Sequence, residues 1–477
     1  MSLKREVGAA VPIDLESIAF DPADARVALS QLPASPAVFA LYGAEAKDEP
    51  YIGRTPNLRG RLERLLQPSP KHPRRLQLAG RVRRIAWRLT GSDFESLLAQ
   101  FSLLEEIYGA KALERMHLRA PAFVRFLGSN RYPRITVTNR PSQREAEWAY
   151  GPFASRAAAE RYAEEALKLF LLRRCTFELD PDPGYPGCVY SEMKMCLAPC
   201  YEGCTDNRYE EEAAAVQDFL ATRGESRLVV LRNERDEASA RMEFETAAAI
   251  HAQVQRVENV RALAPELVKP MSKLRGVILQ ASANPDEVAV FLFDNGRLRG
   301  PLGFSTLGMR IQNEQSGSSS LFAHPLALEP VPEEPGNRGQ GEGRGERGSG
   351  VRDQESEISA NHPASAEPTA EAATDAVVAA PMRSARGVLE ARMDATLAAL
   401  SSNEEPLSGT IRQGHLALLK RWYYRPEVRR PGEIFFPDSE GAWPVKALLR
   451  GVGRVAAKML MAPTASSHKS RFANSSG

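Results

Sequence analysis

Hydrophobic positions along this chain repeat with two periods, and the change from one period to the other marks its elements. Val38 to Tyr42 and Tyr51 to Gly53, rich in β-branched and aromatic residues, flank a polar loop at Gly43 to Glu49, which predicts a β-hairpin. Asn57 then stands at an N-cap position, and Leu58, Leu62, Leu65 and Leu66 follow at helical spacing. Arg59, Arg61 and Arg64 occupy the other faces of that helix. Val82, Ile85, Trp87 and Leu89 predict a third strand over Arg81 to Thr90. Leu97, Leu98, Phe101, Leu104 and Ile107 predict a helix over Asp93 to Tyr108. The order strand, strand, helix, strand, helix describes a compact α+β unit over 30–115.

Residues 1 to 30 carry no usable pattern. A connecting domain over 116–212 holds a strand from Tyr132, a turn at Tyr150-Gly151-Pro152-Phe153 and an Ala-, Glu- and Leu-rich helix reaching Arg174. Asp218 to Leu263 is charged, alanine-rich and helical, and it dominates the segment 213–265. Gly276 to Leu302 alternates around Asp294-Asn295-Gly296, a hairpin signal within a small β segment at 272–310. From 311 to 387 the composition collapses into Gly, Ser, Glu, Pro and Ala, which predicts a disordered linker. A basic and aromatic region at 388–477 closes the chain. There Trp422, Tyr423 and Tyr424 sit among Lys420, Arg421, Arg425, Arg429 and Arg430. Such a mixture can stack on bases or form a small core with a solvated rim, and the pattern leaves both open. The fold class expected is α+β and multidomain.

The length of 477 residues suits about three domains. A net charge of +2 hides a local asymmetry, since Arg54 to Arg88 holds ten arginines and one lysine against Glu63 alone. Neutralising phosphates releases condensed counterions, so such a cluster suits a polyanion, with Arg59, Arg64, Arg74, Arg75, Arg83 and Arg84 as candidate DNA contacts. A solvated helix face beside an ordinary hairpin is the plainer alternative. No stretch is apolar enough to span a bilayer and no signal-like segment opens the chain, so a cytoplasmic location is expected. Five cysteines, four of them at Cys175, Cys188, Cys196 and Cys200 with Cys204 just beyond, look like metal ligands more than a disulfide framework.

Tyr51-Ile52-Gly53, Arg54, Asn57-Leu58 and Arg61, in that order and preceded by Ala37-Val38-Phe39, resemble a GIY-YIG nuclease motif of the kind found in UvrC-type excinuclease subunits. The strand at Tyr132, the Gly-Pro-Phe turn and the cysteine segment resemble the region that follows in that family. Met242-Glu243-Phe244-Glu245-Thr246-Ala247-Ala248 resembles its UVR motif. The resemblance covers roughly Pro36 to Leu307. The RNase H-like and helix-hairpin-helix domains that complete the family are not recognised beyond that point.

The resemblance implies a nucleotide excision repair protein that binds DNA and pairs with a UvrB-like helicase through Phe244, Glu245 and Ala248. It implies phosphodiester hydrolysis on the 3′ side of a lesion with Mg²⁺ or Mn²⁺, and catalytic roles for Tyr51, Arg54 and Arg61. It also implies a [4Fe-4S] cluster, or Zn²⁺ in its place, on Cys175, Cys188, Cys196 and Cys200. Two positions depart from the family: Phe39 stands where a catalytic tyrosine is expected, and Gln100 where the metal-binding glutamate is expected. A neutral amide lacks the charge that drives dehydration of a hard cation. The expectation is therefore a degenerate nuclease site, with a non-catalytic DNA-binding adaptor or regulator as the alternative. An unrelated metal-clip protein with a basic face, which would not bind DNA, is a third reading.

Overall fold

A computed structural model describes residues 15–45, 48–67, 78–307, 309, 385–402 and 407–461. The linker expected at 311–387 falls almost wholly outside these residues, as do Arg74 and Arg75. No described helix is long and apolar enough to cross a membrane.

The first unit comprises β1 (Glu16–Ala19), α1 (Ala25–Ser30), β2 (Ala37–Tyr42), β3 (Tyr51–Thr55), α2 (Leu58–Leu66), β4 (Arg84–Leu89), α3 (Asp93–Tyr108) and α4 (Ala112–Arg115). Its sheet runs β1-β4-β2-β3 with every pair antiparallel. Alternation along the central strand sends Ala37, Phe39 and Leu41 toward Leu58, Leu62 and Leu65 of α2. It sends Val38 and Ala40 toward Ala99 and Leu103 of α3 on the opposite face. The stretch before residue 30, patternless as sequence, supplies an edge strand and a short helix. Both helices start as their caps dictate: Asn57 accepts from the Gly60 N–H at 2.8 Å, and Ser92 from that of Glu95 at 3.0 Å.

The second unit comprises β5 (Ala122–Phe126), β6 (Ile135–Thr138), β7 (Ala149–Phe153), α5 (Arg156–Leu167), α6 (Val189–Glu192), α7 (Asp206–Ala221), α8 (Glu225–Ala240), α9 (Phe244–Ala262) and β8 (Lys269–Pro270). The helix expected to reach Arg174 ends at Leu167, and an extended segment carries the chain on toward the cysteines. The single helical stretch expected from Asp218 to Leu263 is broken twice. Arg223 and Gly224 turn the chain with φ of 53° and 86°, and Met242 turns it again with φ of 61°.

The third unit comprises β9 (Gly276–Ala281), β10 (Glu287–Asp294), β11 (Arg297–Ser305), α10 (Ala385–Ser401), α11 (Gly409–Tyr423), β12 (Glu433–Phe435) and α12 (Val445–Met461). Its sheet order is β11-β10-β9-β12, so a strand from the far end of the chain pairs with β9 across the long intervening segment. The stretches read separately in sequence as a small β segment and a basic C-terminal region thus share one sheet. Val277 and Leu279 face α10 and α12, while Ile278, Phe291 and Phe293 face α11 and α3. Helix α3 is therefore covered twice, by its own sheet and by the third unit, which leaves Glu106 as its one exposed residue.

The aromatic cluster at the end of α11 is core. Trp422 is buried and donates from its indole N–H to Pro431 O at 3.0 Å, and the Tyr424 hydroxyl donates to Pro152 O at 2.8 Å. The base-stacking reading of Trp422, Tyr423 and Tyr424 gives way to the packing one. Arg430 lies over the Trp422 and Tyr423 rings, 5.6 and 5.1 Å from their centroids.

Where α11 meets β11, buried His415 accepts the Leu298 N–H at Nδ1, 3.1 Å away. Burial, helped by the charge of Arg297, pushes its pKa down to about 3. The unfolded chain would take up this proton near the ordinary value of 6.5. Stability from neutral His415 is thus complete above that pH and is lost as pH falls toward the folded value, by at most about 1.4 kcal/mol per unit. Urea unfolding at pH 7 and pH 5 should show a steeper acid loss in the native chain than in His415→Gln. Equal slopes would mean that His415 is not the titrating group.

Candidate functional site

Strand β3 divides the candidate catalytic residues between two faces. Tyr51 points to the α2 side, where Arg61 Nη2 stands 3.4 Å from its hydroxyl. Phe39 lies beneath them, wholly buried, its ring centroid 6.1 Å from that of Tyr51. Gly53 passes over this ring so closely that a Cβ there would come within 2.8 Å of Phe39 Cζ. The motif glycine is thus required by the aromatic ring under it.

Arg54 points to the other face and pairs with Asp93 at the start of α3. The second Asp93 oxygen accepts from Arg425 Nη2 at 2.7 Å, so residues from two units hold one carboxylate. Burial pushes the Asp93 carboxyl up, but Arg425 and Arg54 outweigh it and hold it below the usual range. Gln100 is half-buried on α3, and no hydrogen bond or ion pair joins it to Tyr51, Arg54 or Arg61. Glu105, further along α3, is pushed up by burial, with Arg297 opposing. The structure therefore brings Tyr51, Arg61 and Phe39 together and leaves Arg54 and Gln100 on the α3 side of the sheet.

Of the candidate DNA contacts, Arg59 donates from Nε to Leu32 O at 2.7 Å, and Arg64 to Gly60 O at 2.9 Å. Arg83 donates to Val82 O at 2.7 Å, and the Arg84 guanidinium lies 4.2 Å from the Tyr42 ring centroid. Among the described residues none of Arg59, Arg61, Arg64, Arg83 and Arg84 is paired with a carboxylate. Their charge remains available to a polyanion.

Cys175, Cys188, Cys196 and Cys200 line one cavity together with Arg173 and Tyr190. Cys204 is not among its walls; it sits beside Asp206 and Arg208. Burial, and then the neighbouring thiols, push Cys196 up to about 11. The Ala198 N–H points at the Cys196 sulfur at 3.3 Å, and Arg173 Nη1 lies 3.5 Å from that of Cys175. Lys194, Ala198 and Glu202 adopt left-handed conformations with φ between 55° and 59°, an unusual density of strained non-glycine residues. Among the described residues no three His, Cys, Asp or Glu side chains stand close enough to grip an ion as placed. The donor set is nonetheless four soft sulfurs, two of them already facing N–H groups, and it suits a thiophilic metal.

At the opposite end of the second unit, α8 and α9 form a hairpin closed on its inner side by Leu228, Leu231, Ala238, Val254 and Val257. Its tip is apolar and bare. Met242 is 77% and Phe244 68% exposed, and Glu245 and Ala248 are exposed beside them. Sequence reasoning found these residues but missed the Asp93–Arg425 contact, because nothing in the spacing of residues so far apart signals it.

Residues 123–219 match the family model of the UvrC/Cho excinuclease middle domain. The chain is 27% identical over 226 residues to the UvrABC system protein C of Alcanivorax borkumensis, covering 47% of this chain and 37% of the relative. It is 25% identical over 301 residues to that of Ruminiclostridium cellulolyticum, covering 62% and 48%. With that of Carboxydothermus hydrogenoformans it shares 26% over 282 residues, covering 59% and 46%. The matched region spans less than half the length of these relatives. No solved structure matches the chain.

Proposed function

We propose that this chain, similar over part of its length to UvrABC system protein C, acts in nucleotide excision repair by binding DNA and a UvrB-like partner without cutting. The observation that carries this reading is the division of the nuclease-type site. Tyr51 and Arg61 stand together on a face of unpaired arginines, where a phosphate could be gripped. The hard-cation ligand is missing: Gln100 is neutral, and both oxygens of Asp93, the first residue of its helix, are occupied by Arg54 and Arg425. These residues do not fit Mg²⁺ or Mn²⁺, whose partial dehydration needs free carboxylate oxygens. What remains is positive charge without a means of activating water.

The partner site is the exposed tip around Met242 and Phe244, with Glu245 supplying charge and Ala248 close approach. The four thiols of the second unit are assigned to Zn²⁺ or a [4Fe-4S] cluster, held by Cys175, Cys188, Cys196 and Cys200 as a structural group. Retained 3′-side incision is the second reading, and the contact between Tyr51 and Arg61 favours it.

Fluorescence anisotropy on duplex DNA across a salt series tests the binding claim. The affinity should fall linearly on a log–log plot, and Arg61→Ala should shallow the slope by about one unit. Absence of DNA binding at low salt would favour the metal-clip reading instead. Asp93→Asn should release Arg54 and Arg425 and tighten binding by roughly fivefold, an effect of about 1 kcal/mol. Unchanged affinity in that variant would mean that neither arginine reaches the DNA.

A further inference from the structure

A cleft of about 300 Å³ lies between the second unit and the first two turns of α11. Phe123 and Leu416 lie beneath it, both packed into the surrounding core. Arg140, on the connection after β6, and Arg412 and Gln413, on α11, stand in its walls. No carboxylate lines it.

Arg412 is the telling residue. Its stem crosses the turn at Gly296, where φ is +78° and an added Cβ would meet Arg412 Cγ at 2.8 Å, so the turn glycine makes room for it. Its Nε is buried and has no hydrogen-bond partner. Among the described residues neither Arg412 nor Arg140 is paired with a carboxylate. Burial holds Arg412 below the ordinary arginine range, as expected of a desolvated charge lacking a counter-ion. An uncompensated, partly buried cation is costly, and an entering anion recovers that cost.

The volume stands at the lower end for small-molecule sites, where an apolar floor and a few polar groups are the usual pattern. Two guanidiniums match the double charge of a phosphate, and an amide can both donate to and accept from a base edge. We infer that this cleft binds a single nucleotide unit, with its phosphate on Arg140 and Arg412 and its base beside Gln413. The unit is either a free mononucleotide or one nucleotide of a DNA strand. No wall residue belongs to the Tyr51–Arg61 face, so this site stands or falls independently of the function proposed above.

Isothermal titration of the full chain with dAMP, with a short single-stranded oligonucleotide and with inorganic phosphate tests it. Two variants leave the fold intact by different routes. Arg412→Met keeps the stem over Gly296, and Gly409→Leu adds a side chain at a cleft position where a Cβ meets nothing within 4 Å. Both should weaken the nucleotide ligand at least tenfold. Tighter dAMP identifies a free nucleotide as the occupant; a tighter oligonucleotide identifies a strand. Absence of binding by both, affinity insensitive to both variants, or phosphate binding as tightly as either nucleotide ligand would overturn the assignment.

Discussion

Cys196→Ser is expected to abolish the metal binding proposed for the second unit and to loosen the segment between Leu167 and Asp206. Between the end of α5 and the start of α7 the regular structure amounts to α6 and one short 3₁₀ turn. Apolar burial there is sparse: Phe177, Tyr185, Val189, Tyr190 and Met193 are all exposed. The left-handed turns at Lys194, Ala198 and Glu202 are closed by backbone hydrogen bonds, and of the three residues Ala198 is buried. A metal on the four thiols, as proposed above, would add to this, because ligation of a structural metal contributes on the order of 10 kcal/mol to such a segment. Removing one ligand should lower metal affinity by more than roughly 100-fold, beyond the loss typical of an outer-shell change. Metal analysis after anaerobic purification, absorbance near about 400 nm for an iron–sulfur cluster, and limited proteolysis read the outcome. Cys204→Ser should keep the metal, because that thiol lies outside the cavity. Since the Cys196 thiol is pushed up to about 11, protons compete with the metal, and loading should weaken as pH falls. Full metal content in Cys196→Ser would remove this residue from the ligand set.

Nicking of DNA is expected to be absent with Mg²⁺ or Mn²⁺, and Gln100→Glu alone should not restore it. A positioned proton acceptor contributes about 10²–10⁴ to rate, and a charge-stabilising group about 10²–10³. Losing both takes a nuclease below detection. Gln100 is neutral, and it makes no hydrogen bond to Tyr51 or Arg61 into which a glutamate would step. Nor is Phe39→Tyr a simple repair. The Phe39 ring is wholly buried under Gly53, and a hydroxyl placed there without a partner costs about 1–3 kcal/mol. Recovery of cleavage by Gln100→Glu would show that the site needs only a carboxylate.

Local patterns in the sequence carried the first unit well, because its hairpin, caps and helices are specified by neighbours within a few residues. Asn57 announces a helix start that the structure contains. The third unit was not legible in the same way. The pairing of Glu433–Phe435 with β9 joins segments far apart in the chain, and no period or turn residue encodes a partner at that distance. For the same reason Trp422, Tyr423 and Tyr424 could be read as a stacking platform, although Phe94 and Phe291 complete a core with Trp422. At the candidate site, the residue types pointed to Tyr51 and Arg61, but the face of the sheet decides the rest. A three-residue step along a strand reverses direction, which carries Arg54 away from Tyr51 and into the Asp93–Arg425 pair.

On the function proposed above, the Tyr51–Arg61 face holds DNA without cutting it. The most direct measurement follows binding and strand scission together, on one supercoiled plasmid, with the full chain and Mn²⁺ present. The account predicts salt-sensitive binding, weakened by Arg61→Ala, with no relaxed circles above background. Relaxed circles that depend on Mn²⁺ and disappear in both Tyr51→Phe and Arg61→Ala would contradict it.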